Sequence, residues 1–148
     1  MMDIYDLYQE VILDHNRNPR NCHEILEADS QAQGFNPLCG DKITVFLKVD
    51  DDVIEDVSFI GAGCAISTAS ASLMTEFLKG KTKQQAETMF QNFHRALTKG
   101  DSAAEQKLGK LAALSGVRKF PIRVKCATLA WHTLHAALAN SHEVATTE

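Results

Sequence analysis

Two alternating runs flanking an acidic triplet constrain this fold more than any other feature. Ile43, Val45, Leu47 and Val49 alternate with neighbouring residues over 42–49, and 53–60 is a second β-rich run. A period of two places one set of side chains on one face of a sheet, so the first run is a half-buried strand. Asp50-Asp51-Asp52 lies between the runs and reads as a turn, which pairs them as an antiparallel hairpin. Nothing nearby completes a calcium loop around the triplet, so it reads as solvated.

The remaining segments are mostly helical. Ile4, Leu7, Tyr8, Val11 and Ile12 recur at helical spacing over 3–15, with Asp3 as a cap. Residues 16–20 break that helix, and a loop poor in apolar residues runs to about 30. Residues 34–41 are rich in turn formers. Gly61-Ala62-Gly63-Cys64 ends the second strand, and a helix over 66–79 closes at Gly80. Thr82 with Gln85, and Ser102 with Glu105, are capping-box patterns. The first opens a helix whose Ala86, Met89, Phe90, Phe93 and Leu97 form one face, read as core. The second opens a helix to about 114, with Gly116 beyond it. Pro121 precedes a last helix over 124–140, with Cys126, Leu129, Ala130, Leu134, Ala137 and Leu138 as its apolar stripe. Residues 141–148 read as a frayed tail. There is no internal repeat. This order predicts one α+β domain over 1–148, a small antiparallel β-sheet with helices packed on one face.

A chain of 148 residues can bury one core without disulfides. Fifteen basic and nineteen acidic residues leave a net charge of −4, so there is no global electrostatic footprint for nucleic acid or an anionic membrane. No apolar run approaches the roughly 18 residues of a spanning helix. The acidic start, Met1-Met2-Asp3-Ile4-Tyr5-Asp6, lacks the pattern of a signal peptide. A cytoplasmic location is expected. There Cys22, Cys39, Cys64 and Cys126 serve as thiols, metal ligands or nucleophiles rather than disulfides. Their gaps fit no zinc-finger or CxxC spacing.

Three of these cysteines share a setting. Cys39 sits in a turn before a strand, Cys64 in a glycine turn before a helix, and Cys126 in the expected first turn of the last helix. Helix N-termini carry partial positive charge, which favours thiolate over thiol. Gly40 lets the loop bend so that Asp41 can turn toward the same point as Cys39. Cys39, Asp41, Cys64 and Cys126 would then form a tetrahedral set of three sulfurs and one oxygen. That set suits zinc or an iron–sulfur cluster. The carboxylate is the harder and more replaceable ligand. The pattern alone leaves open that the three cysteines are simply buried, as free cysteines often are.

Other candidates have plainer readings. Cys22-His23 has no second pair and reads as an incidental surface pair. His132 and His135 share a helix face, read as solvated or partner-facing. His15 and His94 have no identifiable partner. Arg123 and Lys125 are cations at a helix start, mildly unfavourable for the dipole, and this favours a role in steadying thiolate or persulfide charge.

Leu38-Cys39-Gly40-Asp41, Gly61-Ala62-Gly63-Cys64-Ala65-Ile66-Ser67 and Arg123-Val124-Lys125-Cys126-Ala127 together resemble the U-type proteins of iron–sulfur cluster assembly. That family comprises the SufU and IscU groups and the N-terminal part of NifU. The resemblance extends from Tyr5-Asp6-Leu7-Tyr8 and the 14–20 run to the last helix. The IscU branch has histidine immediately before the third cysteine. Lys125 stands there in this chain, and a long capped segment separates Cys64 from Cys126, both as in the SufU branch.

The resemblance implies a zinc-dependent sulfur relay, sulfurtransferase-like in character. Persulfide sulfur would arrive from a pyridoxal-phosphate cysteine desulfurase of SufS type and pass to a downstream iron–sulfur assembly scaffold. It implies Cys39, Asp41, Cys64 and Cys126 as zinc ligands. It also implies Cys39 as the sulfur acceptor, freed when a desulfurase histidine takes its place on zinc. Two alternatives stay open. One is a scaffold holding iron as a nascent [2Fe–2S] cluster, weakened by Lys125 in place of histidine. The other is a binding module with purely structural zinc.

Overall fold

The computed structural model describes residues 4–37, 39–139 and 145–146. Helix α1 (Ile4–Arg17) leads into a loop, then strands β1 (Ser30–Asn36), β2 (Asp41–Asp50) and β3 (Val53–Ala62). Helices α2 (Ala65–Leu78), α3 (Lys83–Lys99) and the short α4 (Ser102–Glu105) follow. A 3₁₀ segment (Gly109–Lys119), helix α5 (Pro121–Leu138) and a two-residue strand β4 (Ala145–Thr146) complete the order. The sheet runs β3-β2-β1-β4. Strands β1, β2 and β3 are antiparallel, and β4 pairs with β1 in parallel at Gly34 and Phe35. The other residues of the stretch read as a frayed tail lie outside the described ones.

The expected hairpin is β2–β3. Asp51 and Asp52 both hold left-handed φ angles, 51° and 64°, and both are exposed. A two-residue turn with positive φ at both positions matches the twist of the strands it joins. The acidic triplet is therefore the solvated turn itself. Asp41, Ile43, Val45 and Leu47 point to one face, all buried, beneath the helices. Helix α5 lies across β1 and β2, and α2 packs on β3 and α5. Together these elements form the α+β arrangement, with helices over the antiparallel sheet.

Strand β1 falls where turns and loop were expected. It contains no β-branched residue, and its buried positions are Ala32, Gly34 and Asn36. These residues are small because α5 crosses close above them. A Cβ on Gly34 would collide with Thr133 Oγ1 of α5. The packing that demands small residues also removes the usual strand signal.

The Thr82 capping box is present in full. Gln85 N donates to Thr82 Oγ1 at 3.1 Å, and Thr82 N donates to Gln85 Oε1 at 2.9 Å. The second box is corrected. Asp101, not Ser102, caps α4, accepting from Ala104 N at 3.2 Å. Helix α4 is one turn long, and the chain continues as a 3₁₀ segment that runs through Gly116. Gly109, in the left-handed region at φ +58°, separates the two. The start of α5 is also corrected. Pro121 occupies its first turn, where a missing N–H costs nothing, so the helix begins before 124. Cys126 therefore lies in the second turn. Helix α5 is buried on most sides, with Trp131 fully enclosed and stacked on Phe93 at 4.8 Å between ring centroids. That aromatic pair is worth about 0.5–1.5 kcal/mol beyond its buried area.

Candidate metal centre

The fold brings the ends of four elements to one point. The turn closing β1 onto β2 carries Cys39, and Gly40 N donates back to Asn36 O at 2.9 Å. Gly40 holds φ at +71° in that turn. Asp41 opens β2 and is fully buried. Cys64 follows β3 and caps α2, its Sγ accepting from Ser67 N at 3.5 Å. Cys126 rises from the second turn of α5 and is fully buried.

Three candidate ligands converge. One donor atom each from Cys39, Asp41 and Cys126 lies within 4.8 Å of the other two. Cys126 Sγ donates to Cys39 Sγ at 3.1 Å. Cys64 stands at the edge of this trio. Its Sγ donates to Asp41 Oδ2 at 3.8 Å, and its backbone N donates to Asp41 Oδ1 at 2.9 Å. Gly63 is what permits that approach, since a Cβ there would sit 2.9 Å from Asp41 Oδ1. All four cysteines are free thiols. Cys22 is exposed and apart from the site, its backbone bridging to Phe59 at the outer edge of β3.

The electrostatics differ from the expectation for Cys126. Burial pushes its thiol well above the ordinary range, and hydrogen bonds with Cys39 and Asp41 add to the shift. Its place in the second turn also takes it away from the helix N-terminus, where dipole stabilisation is concentrated. Arg123 is exposed in the first turn of α5, and its guanidinium is held above its usual value, first by Cys64, then by Cys126. Lys125 is half-buried. Two thiols and an enclosed carboxylate lie in mutual reach here. They are a good donor set for a borderline-soft divalent cation. In a tetrahedral set with metal–sulfur bonds of about 2.3 Å the sulfurs stand roughly 3.8 Å apart, within the 4.8 Å spread of these donor atoms.

One contributor escaped the sequence reading. Asn36, fully buried, donates from Nδ2 to Cys126 Sγ at 3.5 Å. Its register partner is Asp41, so both side chains project on one face of the sheet. Recognising β1 would have revealed it, because the hairpin turn sets Asn36 opposite Asp41.

Residues 7–146 match the family described as the NifU-like N terminal domain. The chain belongs to that family. It is 44% identical over 133 residues to the zinc-dependent sulfurtransferase SufU of Bacillus subtilis (strain 168), covering 90% of each chain. It is 42% identical over 135 residues to the iron–sulfur cluster assembly scaffold protein IscU of Streptococcus pyogenes serotype M1, covering 91% of this chain and 84% of that one. Among solved structures, the N-terminal NifU-like protein of Brucella abortus superposes with a TM-score of 0.84 at 26% identity, covering 93% of this chain and 95% of that one. The family is that of iron–sulfur cluster assembly, and the cysteine turns sit on its fold. No described helix is long and apolar enough to cross a membrane.

Proposed function

We propose that this chain is a cytoplasmic sulfur relay in iron–sulfur cluster assembly. It takes persulfide sulfur from a cysteine desulfurase of SufS type and passes it to a downstream scaffold. Cys39, Asp41, Cys64 and Cys126 would hold zinc. The carrying observation is exposure: Cys39 is half-exposed, whereas Asp41 and Cys126, its two neighbours in the trio, are buried. Cys39 is the member of the trio that can meet a sulfur donated by another protein, while Cys64, at the trio's edge, is half-exposed as well. The SufU relative, named a zinc-dependent sulfurtransferase, supports the same reading.

Bound zinc keeps its thiolate ligands deprotonated at neutral pH. Cys39 Sγ, as thiolate, attacks the terminal sulfur of the donor persulfide. The donor's S–S bond breaks, its cysteine leaves as thiolate, and Cys39 carries the new persulfide, with no net oxidation. Arg123 and Lys125 steady the negative charge. Gly40 gives the Cys39 turn its left-handed bend, while buried Asp41 and Asn36 keep the rest of the site in place.

The test is desulfurase turnover with and without the zinc-loaded protein. A large stimulation, lost in Cys39→Ala, with the persulfide found on Cys39 by mass spectrometry, is the expected result. No stimulation with zinc still bound would overturn the relay. A second reading, a scaffold for a [2Fe–2S] cluster, draws on the scaffold name of the Streptococcus relative. Iron and sulfide retained after anaerobic reconstitution, without stimulation, would favour it.

A further inference from the structure

The four candidate ligands are not held alike. Asp41 Oδ1 accepts from the backbone N of Cys64 at 2.9 Å. Cys64 Sγ accepts from the backbone N of Ser67 at 3.5 Å. Cys126 Sγ accepts from Nδ2 of Asn36 at 3.5 Å. Each of these donors is an N–H that keeps its proton when the ligand binds a metal. Cys39 differs. Among the described residues, its sulfur receives its hydrogen bond from the Cys126 thiol, at 3.1 Å. A thiol gives up its proton on binding a metal, so that bond ends there. Three ligands thus keep an N–H donor in a metal-bound centre, and among the described residues Cys39 keeps none. The Arg123 guanidinium adds to the contrast, since it interacts most with Cys64 and Cys126 and least with Cys39.

Two of the three donors are backbone groups, and the third is a chosen side chain. Asn36 ends β1 and is fully buried. Its backbone O accepts from Gly40 N at 2.9 Å and closes the turn that carries Cys39. Its side chain reaches instead to Cys126 on α5. One residue therefore links the turn of the half-exposed ligand to the enclosed ligand. Packing alone would favour a small apolar residue here, as at Ala32 and Gly34, because a buried amide is costly unless hydrogen-bonded. Three thiolates and a carboxylate also place four negative charges around a divalent cation. An N–H donated to one thiolate offsets part of that excess and fixes the direction of its sulfur. Outer-shell partners of this kind typically change metal affinity about 10–100-fold.

We propose that Asn36 is a positioning residue of this centre, whose amide keeps Cys126 on the metal, with Asp41 and Cys64, while Cys39 leaves it. The purpose of that departure, uptake of sulfur on Cys39, rests on the relay reading above. A metal-bound sulfur only accepts hydrogen bonds, so the amide presents Nδ2 to it and not Oδ1. The ligand without an N–H donor is the one released, and the three with donors retain the ion.

The test measures zinc affinity by competition with a chromophoric chelator, in the wild-type and the Cys39→Ala backgrounds. Asn36→Ala should lower that affinity about 10–100-fold in both. Asn36→Asp, similar in shape but without the donor, should lower it at least as far, and circular dichroism verifies each fold. Cobalt(II) in place of zinc gives a signature that lost packing would not. Removing an N–H···S bond raises the energy of the sulfur lone pair. The thiolate-to-cobalt charge-transfer band should therefore move to longer wavelength in Asn36→Ala. In the unmutated protein loaded with a spin-active cadmium isotope, NMR should show coupling from the metal through sulfur to the Asn36 amide proton. An affinity loss that disappears in Cys39→Ala would make Asn36 a part of the Cys39 turn only and overturn the proposal. Unchanged affinity in both variants, an unmoved cobalt band, an absent cadmium coupling or a Cys39→Ala protein that binds no zinc would each overturn it too. None of these readouts involves a desulfurase. A desulfurase left unstimulated overturns the relay and leaves the role of Asn36 standing, and stimulation with an unmoved cobalt band does the reverse.

Discussion

Helix α5 carries two chemically rich clusters a few turns apart, and they are built on opposite terms. Near its start, Cys126 is packed with Cys39 and Asp41, so groups of the same charge type are confined together under burial. Nearer its end, Trp131 stacks on Phe93, while His132 and His135 each lie 5.4 Å from the Phe90 ring. His94 joins His132 at 5.9 Å, and His135 Nδ1 pairs with Glu87 Oε1 at 2.8 Å. The ring and imidazole contacts of the second cluster are made within the chain, although Trp131 Nε1 is buried with no hydrogen-bond partner among the described residues. The first gathers thiols and a carboxylate, with the Arg123 guanidinium interacting with Cys64 and Cys126 at its edge. Local chemistry that the fold leaves incomplete is where function resides, and local chemistry that it completes is where stability resides.

Three perturbations sharpen that contrast. Phe93→Ala removes a fully buried ring from the second cluster and should cost about 3–5 kcal/mol. Chemical denaturation checks this, and the loss should be the same with or without a chelator. A loss that appears only in the metal-loaded protein would mean the two clusters are coupled. Zinc at about 100 times its dissociation constant should stabilise the protein by about 2.7 kcal/mol, and Cys126→Ser should abolish that gain. Identical melts with zinc and with chelator would remove the cation from the cysteine cluster. Asp41→Ala should weaken metal binding and, even without metal, cost about 1 kcal/mol by removing the acceptor of the part-buried Cys64 N–H. The fold should survive. Complete unfolding at neutral pH, seen by circular dichroism, would make Asp41 a structural keystone rather than an exchangeable ligand.

The same contrast explains what could be read before the structure. The β2–β3 hairpin was legible because its buried residues are large and alternate. The Thr82 cap was legible because its signal is local. Strand β1 was hidden because α5 crosses it closely and demands Ala32 and Gly34 where a strand usually shows Val or Ile. With β1 hidden, Asn36 was hidden too. Ser102 was read as a cap in place of Asp101 because two capping residues stand side by side, and only the backbone geometry chooses between them. At the candidate metal centre, Cys39, Asp41, Cys64 and Cys126 stood out by chemical type and motif. Their unequal exposure, with Cys39 and Cys64 half-exposed and Cys126 enclosed, depends on long-range packing that no local pattern encodes. The histidine pair on α5 was read as solvated or partner-facing. His132 packs against α3 of the same chain, while His135 touches α3 and stays exposed.

The histidine cluster offers the smallest test, through pH. Burial lowers the affinity of His132 for a proton, and the neighbouring His94 and His135 lower it further. The Glu87 carboxylate from α3 is engaged by His135, and burial, His94 and His135 all oppose protonation of His132. The unfolded chain therefore binds this proton more readily than the folded one. Stability is complete above the unfolded value of about 6.5 and declines as pH falls below it toward the lowered folded value. His15 acts in the same direction, since burial against α2, where its Nδ1 meets Ser72 Oγ at 2.7 Å, also depresses its proton affinity. Denaturation of the metal-free protein between pH 7.5 and about 5 should show this decline. His132→Phe should flatten part of it and leave the His15 share. A slope unchanged in His132→Phe would show that the His132 ring carries no share of the pH dependence.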